Sequence, residues 1–443
     1  MELSGRVATP DLPTLETGPS RGATSSPKPL AMDRGQESQC LRDRSTDAHP
    51  PFDASSFVTG LSPTVYDTAW IAGLRAPHDK QRLRYPAALS WLYDVQHADG
   101  SWGGAIRYQH DRVLCTLSAL AAIGAAPSSS EGYASVQTGT RYLWQHGHLL
   151  RGESVELVGF ELLLPALVAR AQSAGIAVPP HLDIYRAERA EKLRLIPSAA
   201  LYSDQATIVH SIEFLGDEVD DAALLRAQSR NGSLGNSPAA TAFFLGRHDN
   251  GPAQSYLDQC MIHADGAAAT VLQPSATFEY LWAAYHLSLA GVTARQIVGA
   301  PERSSLSTAL RSGGISLDPS FPIPDADDTA VALMLLHELG ESVDSRVFEQ
   351  FALPDRHFVS FQHERHSSVG VNVHVLHALV RVPGFPERRQ AIRRLLAYLE
   401  QQCVNGLFWR DKWHISPYYA TSHALCVLAE LATLTGEDVS HLV

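Results

Sequence analysis

Cysteine is scarce in this chain of 443 residues, with only five along its length. They are widely scattered and form neither a zinc-ligand spacing nor a disulfide framework. A chain without those devices is typical of a reducing compartment, so we expect a cytoplasmic protein. The five are Cys40, Cys115, Cys260, Cys403 and Cys426.

Excess positive charge and long apolar runs are also missing. Lysine and arginine number 35 against 47 aspartates and glutamates, the net charge is −12, and no basic block stands out. Nucleic acid and anionic membranes are therefore poor partners for this chain. No stretch approaches the roughly 20 apolar residues of a membrane span.

The first 50 residues lack apolar periodicity and are rich in Pro, Ser, Thr, Gly and Arg. Such a composition predicts a disordered tail. The segment has no apolar core of a secretory signal, and its seven acidic residues argue against a transit peptide. We exclude residues 1–50 from the fold.

Beyond residue 60 the apolar residues recur with helical spacing, and alternating strand patterns are scarce. This pattern predicts an all-α protein. The clearest segments are 155–174, 277–290, 330–341, 371–382, 388–402 and 421–433.

A weak internal repeat joins some of these helices. A Gln is followed four residues later by a Gly and then by a large apolar residue, beginning at Gln96, Gln228 and Gln402. The Gly is typical of a left-handed helix cap, and the Gln is available to bond freed backbone groups. The repeat predicts stacked helical pairs that close into barrels, a structural brace without chemistry.

The acidic tetrad Asp325-Ala326-Asp327-Asp328 directly precedes an apolar helical run, Val331 to Leu336. One interpretation is an acidic helix N-cap. The other interpretation is functional. Several charged carboxylates beside apolar side chains are energetically costly, so we expect them to be protonated or to serve a function. A carboxylic acid held neutral near pH 7 is a strong proton donor, suited to an isolated carbon–carbon double bond.

The ordered set of motifs over residues 52–443 resembles class II terpene cyclases, specifically bacterial diterpene cyclases of the copalyl diphosphate synthase kind. The motifs are Ser62–Trp70, Gln96–Gly103, Val158–Glu161, His210–Glu213, Asn231–Ser233, Ser237–Ala242, Asp325–Ala330, Asn372–Leu376 and Asp411–Ala420.

The resemblance implies two α/α-barrel domains, the βγ didomain of class II terpene cyclases, with one inserted into the other. Residues 51–75 and 300–443 would form the β-like domain that carries the catalytic acid. Residues 76–299 would form the inserted γ-like domain, with the active cavity between the two.

The resemblance and the chemistry agree on Asp327 as the proton donor, with Asp325 and Asp328 raising its pKa. His210 matches the place where plant relatives carry a catalytic His. The Asn that partners this His in the plant relatives is replaced near Thr270 in this chain. His210 is therefore either the base that ends the reaction or a structural residue of the core.

The resemblance also implies a magnesium site at Glu153 and Glu156, where the alternative is a solvated helix start. Lys192 and Lys412 would hold the diphosphate, or else lie on the surface. The run Asp217-Glu218-Val219-Asp220-Asp221 mimics the metal motif of ionising terpene synthases. No second metal motif follows it, so we interpret it as a solvated acidic turn.

The expected activity is the protonation-initiated cyclisation of geranylgeranyl diphosphate to a bicyclic labdane-type diphosphate, with Mg²⁺ as cofactor. A downstream class I terpene synthase is an expected pathway partner. Two alternatives stay open: a drimane-type cyclase acting on farnesyl diphosphate, and a non-catalytic helical-repeat binding protein.

Overall fold

A computed structural model describes residues 60–153, 157–354, 357–362, 364, 366–436 and 438–442. The predicted all-α fold is confirmed. Its helices are α1 (Val65–Ala72), α2 (Pro86–Asp94), α3 (Gln109–Gly124), α4 (Ser130–His146), α5 (Phe160–Ser173), α6 (Arg186–Leu195), α7 (Ser198–Leu201), α8 (Asp221–Leu224), α9 (Pro238–Arg247), α10 (Gly251–Cys260), α11 (Ala276–Leu289), α12 (Ala294–Ile297), α13 (Ala300–Arg311), α14 (Ala326–Glu338), α15 (Val369–Arg381), α16 (Arg388–Gln402) and α17 (Pro417–Thr435).

Short strands and 3-10 turns connect the helices. In the described ranges the strands make two small antiparallel pairs, β1 (Arg75–Ala76) with β2 (Asp79–Leu83), and β3 (Ile315–Ser316) with β4 (Pro324–Asp325). The longest 3-10 segment, Thr207–Glu218, is interrupted by non-helical backbone at Ser211 and Gly216. The remaining 3-10 turns are Gly147–Gly152, Pro180–Leu182, Leu225–Ala227, Ala264–Gly266, Ser345–Phe351 and Ser440–Leu442.

The apolar side chains gather in two separate cores. The first runs from Val65 to Ala269 and includes α1, α3, α5 and α9. The second runs from Leu281 to Leu442 and centres on α14, α15 and α17. Both α14 and α15 are buried nearly all round, as expected for the inner helices of a packed barrel.

The boundary between the cores differs from the predicted one at both ends. Residues Val65–Ala72 belong to the first core, because Ala69, Ile71 and Ala72 are fully buried among its helices. Helix α11 belongs to the second core through Leu281, Ala284 and Tyr285. The predicted domain scheme grouped Val65–Ala72 with residues 300–443 and placed α11 in the inserted domain, 76–299. Neither segment packs in that way.

The Gln–Gly repeat is the predicted brace. The amide Nε2 of Gln96 donates to the carbonyls of Gly100 (2.9 Å) and Ser135 (3.1 Å), which ties its turn to α4. Gly100 and Gly232 have φ of +89° and +91°. The indoles of Trp102 and Trp409 lie buried and donate to the Leu92 and Leu399 carbonyls.

Hydrogen bonds join the two cores at one junction. The amides of Asn231 and Asn236, beside the start of α9, donate to the hydroxyl of Ser320 at 3.2 and 3.3 Å. Ser320 precedes β4 and α14, so this junction lies on the chain just before the acidic tetrad. No helix in the described ranges is long and apolar enough to cross a membrane.

Candidate active site

The acidic tetrad forms the beginning of α14. Asp325 lies extended in β4 and caps the helix, its Oδ1 accepting a bond from the Asp328 backbone N–H at 2.7 Å. The Ser360 carbonyl accepts from the Ala326 N–H at 2.9 Å and fixes the strand-to-helix turn. The N-cap interpretation therefore holds for Asp325, but it does not account for Asp327 and Asp328.

The three carboxylates differ in exposure. Asp325 and Asp328 are 3% and 0% exposed, and three of their carboxylate oxygens have no hydrogen-bond partner in the described structure. The side chain of Asp327 is 20% exposed. Asp327 is therefore the acid of the tetrad that a substrate is able to reach.

All three pKa values are raised. Burial, reinforced by the negative charge of Asp411, raises the pKa of Asp327 to about 8. Burial also raises the pKa of Asp325 and of Asp328; the charge of Asp327 raises the pKa of Asp325 further, and the charges of Asp325 and Asp327 raise that of Asp328. Asp327 is therefore largely neutral at pH 7 and carries a transferable proton.

A hydrogen-bonded chain of two histidines leads from Asp327 into the core. His374 Nδ1 lies 2.7 Å from Asp327 Oδ1, and His374 Nε2 lies 3.0 Å from His423 Nδ1. Burial lowers the pKa of both histidines to about 3, so both are neutral. We adopt the tautomers in which His423 donates to His374 and His374 donates to Asp327 Oδ1, one of two arrangements consistent with both contacts. The acid proton then lies on Asp327 Oδ2, away from His374.

Aromatic rings surround the His374 end of this chain. The rings of Trp282 and Tyr285 from α11 meet the imidazole edge-on, with centroids 4.9 and 5.3 Å away. The ring centroids of Tyr419 and His423 lie 4.2 Å apart. Faces of such rings attract cations.

A further carboxylate near the tetrad, that of Asp411, stays charged. Burial raises the pKa of Asp411, but bonds from His414 (3.1 Å), Ser368 and the Gly370 N–H (3.2 Å) outweigh it and hold the pKa at about 2. Asp411 therefore supplies a permanent negative charge that helps keep Asp327 protonated.

The two predicted diphosphate lysines lie in different places. Lys412 pairs with Glu364, donates to the His366 carbonyl at 2.6 Å, and is close enough to Asp327 to lower its pKa. Lys192 lies on α6 and pairs with Glu161 at the start of α5. Lys412 thus belongs to the surroundings of the acid, whereas Lys192 belongs to the first core.

His210 lies beside the junction of the cores. Its Nδ1 is 2.9 Å from the Gly235 carbonyl, which only accepts, so Nδ1 carries the proton and Nε2 keeps a lone pair. Burial lowers its pKa. The Thr270 hydroxyl donates to the Leu272 carbonyl at 2.8 Å and makes no bond to His210. The neutral tautomer fits a base, and the role of His210 stays a prediction.

The predicted magnesium site is only partly within the described residues. Glu153 is exposed, and its Oε1 accepts from the Gln109 N–H at 2.9 Å. Glu156 lies outside the described residues. No group of three or more His, Cys, Asp or Glu able to hold a metal occurs in the part of the chain that the structure covers. The magnesium site at Glu153 and Glu156 therefore stays a prediction.

The aspartate-rich run after Thr207–Glu218 makes ordinary surface contacts. Asp217 is fully exposed and pairs with Arg247 at 3.2 Å, and Asp220 caps α8. These contacts fit a solvated acidic turn.

Sequence reasoning assigned no role to His374, His423 or Asp411. His374 and Asp411 lie inside motifs that carry the family resemblance, and a His among apolar residues of a buried helix was the available signal. Nothing local in the sequence connects His423 to α14, because the contact depends on how α15 and α17 pack.

Comparison with known proteins gives consistent relatives. The chain matches no known protein-family model. It is 31% identical over 390 residues to a type B diterpene cyclase of Mycobacterium tuberculosis, covering 83% of this chain and 75% of that protein. It is also 31% identical over 374 residues to ent-copalyl diphosphate synthase 2 of Oryza sativa subsp. indica, covering 80% of this chain but 45% of the plant protein. The chain thus spans less than half of that plant relative.

Solved structures agree with the sequence relatives. Ent-copalyl diphosphate synthase from Arabidopsis thaliana, in complex with (S)-15-aza-14,15-dihydrogeranylgeranyl thiolodiphosphate, is similar with a TM-score of 0.71 and 26% identity, over 81% of this chain and 52% of that one. Ent-copalyl diphosphate synthase from Streptomyces platensis gives 0.65 and 28%, over 84% and 76%. The chain therefore belongs to the class II terpene cyclases and is a class II diterpene cyclase of the copalyl diphosphate synthase kind.

Proposed function

We propose that the protein cyclises geranylgeranyl diphosphate to a bicyclic labdane-type diphosphate, with Asp327 as the general acid. The observation that carries the proposal is the neutral, partly exposed carboxyl of Asp327, which bonds the neutral His374 and is influenced by the charge of Asp411. The substrate class is supported by the geranylgeranyl analogue bound to the Arabidopsis relative.

The first step is a proton transfer from Asp327 Oδ2 to the terminal double bond of the substrate. The alkene π electrons take the proton and leave a tertiary cation, while Asp327 becomes a carboxylate. The His374 N–H already points at Oδ1, so its bond becomes charge-assisted at this moment without any rearrangement. The histidine chain thus stabilises the product of the proton transfer more than its reactant.

Ring closure follows within the polyene. Two neighbouring double bonds attack the cation in turn and form two carbon–carbon bonds, and loss of a proton from the last cation ends the reaction with the diphosphate intact. The protein's tasks are to hold the chain folded and to exclude water. His210 is the proposed base, since its Nε2 lone pair is free of the proton held at Nδ1.

The diphosphate must be bound without being ionised. Lys192 and Lys412 stay the proposed cations for this, each already paired with a glutamate in the absence of substrate. Magnesium at Glu153 and Glu156 also stays a proposal.

The test is incubation of the purified protein with geranylgeranyl or farnesyl diphosphate and magnesium, followed by dephosphorylation and mass spectrometry. A bicyclic C20 alcohol supports the proposal, and Asp327→Asn should abolish it because the amide has no acidic proton. Asp344→Asn, which alters an exposed ion pair with Arg346, is the control and should retain full turnover.

Other results would point elsewhere. A product from farnesyl diphosphate alone would make the protein a drimane-type cyclase with the same acid. Linear alcohols from both substrates would contradict the role of Asp327 and favour a binding protein.

A further inference from the structure

A large cavity opens at the other end of the first core from the acid. It has a volume of about 810 Å³ and is lined by residues between Trp70 and Arg247. Helix α9 shows its position: Ala239 at the beginning of α9 bonds Asp67 near the junction of the cores, and Gly246 and Arg247 at its end line the cavity. Ten helical residues span about 15 Å, so the part of the cavity at Gly246 and Arg247 lies roughly that far along α9 from Ala239.

The floor of the cavity holds a cation without an ionic partner. The guanidinium of Arg170 lies 3.5 Å from the centre of the Trp70 ring, and its Nη1 makes no hydrogen bond within the described structure. Burial lowers the pKa of Arg170 only to about 10, so it stays charged. A buried guanidinium left without a partner is costly, and an anion would remove that cost.

Beside Arg170 lies a second unsatisfied group, Glu213. This side chain is 2% exposed, its Oε1 accepts from the Tyr66 hydroxyl at 2.7 Å, and its Oε2 has no partner among the described residues. Burial raises the pKa of Glu213 to about 8, so at pH 7 it is mostly a neutral acid. The floor therefore offers two hydrogen-bond donors, a guanidinium and a carboxyl O–H.

The rim of the cavity is electrically balanced. Arg186 pairs with Asp183, Arg189 with Glu218 at 2.8 Å, and Arg247 with Asp217 at 3.2 Å. With Glu213 neutral, the lining carries a single net positive charge, that of Arg170. One uncompensated charge favours a monoanion over a dianionic phosphate.

The walls between floor and rim are apolar. They are formed mainly by Trp70, Leu74, Val168, Leu215, Ala242 and Phe243. Polar and apolar groups contribute about equally to the whole lining, and a cavity of this volume with convergent polar groups is typical of a small-molecule site. Arginine prefers planar, two-oxygen anions such as carboxylates.

We infer that this cavity binds an apolar monocarboxylate, its carboxylate on Arg170 and Glu213 and its hydrocarbon body against Trp70, Val168 and Phe243. The site is separate from the proposed catalytic acid, and the inference does not depend on the proposed function. The ligand class is that of a medium-chain fatty acid or a similar carboxylic acid with a hydrocarbon body.

The test is isothermal titration calorimetry of the full chain with decanoate, decanol and decyl phosphate. Decanoate should bind at least tenfold more tightly than either of the others. Tighter binding of decyl phosphate would overturn the assignment to a carboxylate, and equal binding of decanol would show that the charge is not recognised. Absence of decanoate binding at millimolar concentration would overturn the proposal itself.

Two variants test whether decanoate binds in this cavity. Arg170→Gln should weaken decanoate binding at least tenfold, whereas Arg346→Gln, in an exposed ion pair outside the cavity lining, should change it less than twofold. Gly246→Leu fills the cavity without removing a charge, and the nearest atom to an added Cβ is Leu74 Cδ2 at 3.7 Å, an ordinary contact distance. It should also abolish binding, and it decides the question if Arg170→Gln fails to fold by circular dichroism. Binding that survives Gly246→Leu would refute the site.

Discussion

Replacement of His374 by alanine tests the histidine chain most directly. His374 is 1% exposed and contacts Asp327 Oδ1 at 2.7 Å, so the substitution removes one donor from the carboxyl without touching Asp327 itself. The bond is neutral while Asp327 is protonated and charge-assisted once the proton has left. The variant therefore loses the difference between the two kinds of bond.

The magnitude of that difference follows from ordinary hydrogen-bond energies. A neutral bond contributes about 0.5–1.5 kcal/mol and a bond to a charged group about 1.5–3 kcal/mol. Their difference is about 1–2 kcal/mol, which corresponds to roughly a 5- to 30-fold fall in the rate of protonation. The same loss disfavours the carboxylate, so the pKa of Asp327 should rise by about one unit.

The assay is kcat and kcat/KM for geranylgeranyl diphosphate across pH in both proteins. The expected result is a lower kcat together with an alkaline limb displaced to higher pH. His377→Ala is the matched control, because His377 lies one turn further along α15 and bonds Tyr285 and Glu430 instead of Asp327. An unchanged alkaline limb in His374→Ala would refute the assigned contact, even if activity fell through misfolding.

Three further predictions follow from the same structure. Because Asp327 acts only when protonated and its pKa is about 8, kcat/KM should be maintained below pH 8 and fall about tenfold per unit above it, as a pH profile will show. Gly232→Ala should destabilise the fold by roughly 1–3 kcal/mol in urea titrations, because φ is +91° and the new Cβ would lie 2.3 Å from the Pro252 carbonyl oxygen. Gly251→Ala, with open space around its Cβ, is the control and should change stability by less than about 0.5 kcal/mol. Asp220→Asn combined with Asp221→Asn should leave turnover unchanged, since these residues cap α8 and pair with Arg247 at the surface.

Helices were predictable from the sequence because their signals are local. The segment 388–402 coincides with α16, and 277–290 is displaced by one residue from α11. The segment 330–341 begins four residues later than α14, because the apolar pattern starts only after the acidic first turn, whose Asp325 is itself the cap. Periodicity marks the buried face of a helix, whereas capping residues mark where it begins.

The grouping of helices into cores was less predictable. Helix α1 presents Ala69, Ile71 and Ala72, which any apolar surface is able to bury, so its sequence does not specify a partner. Its position depends on long-range contacts, such as the Thr64 N–H to the Ala269 carbonyl at 2.9 Å. The resemblance to a family supplied a domain scheme for segment 51–75, and the packing of Val65–Ala72 departs from it.

The site shows the same division between local and distant information. The tetrad was recognisable because three carboxylates before an apolar run are costly wherever they lie. Its members could be ranked only with structure: Asp325 is used by the helix cap, Asp328 is fully buried, and Asp327 alone keeps a reachable oxygen. Burial is the main cause of the raised pKa of Asp327, and the charge that reinforces it comes from Asp411, more than 80 residues away in sequence.

The fixed charge of Asp411 and the neutral donor of His374 have opposite effects on the acid. Asp411 raises the pKa of Asp327 and keeps the proton in place before substrate binds. The His374 N–H favours the carboxylate and assists the proton's departure. An acid held only by like charge would keep its proton too well, and one held only by donors would be ionised at pH 7. Burial and the two opposing influences together let Asp327 be protonated at rest and still strong enough to protonate an alkene.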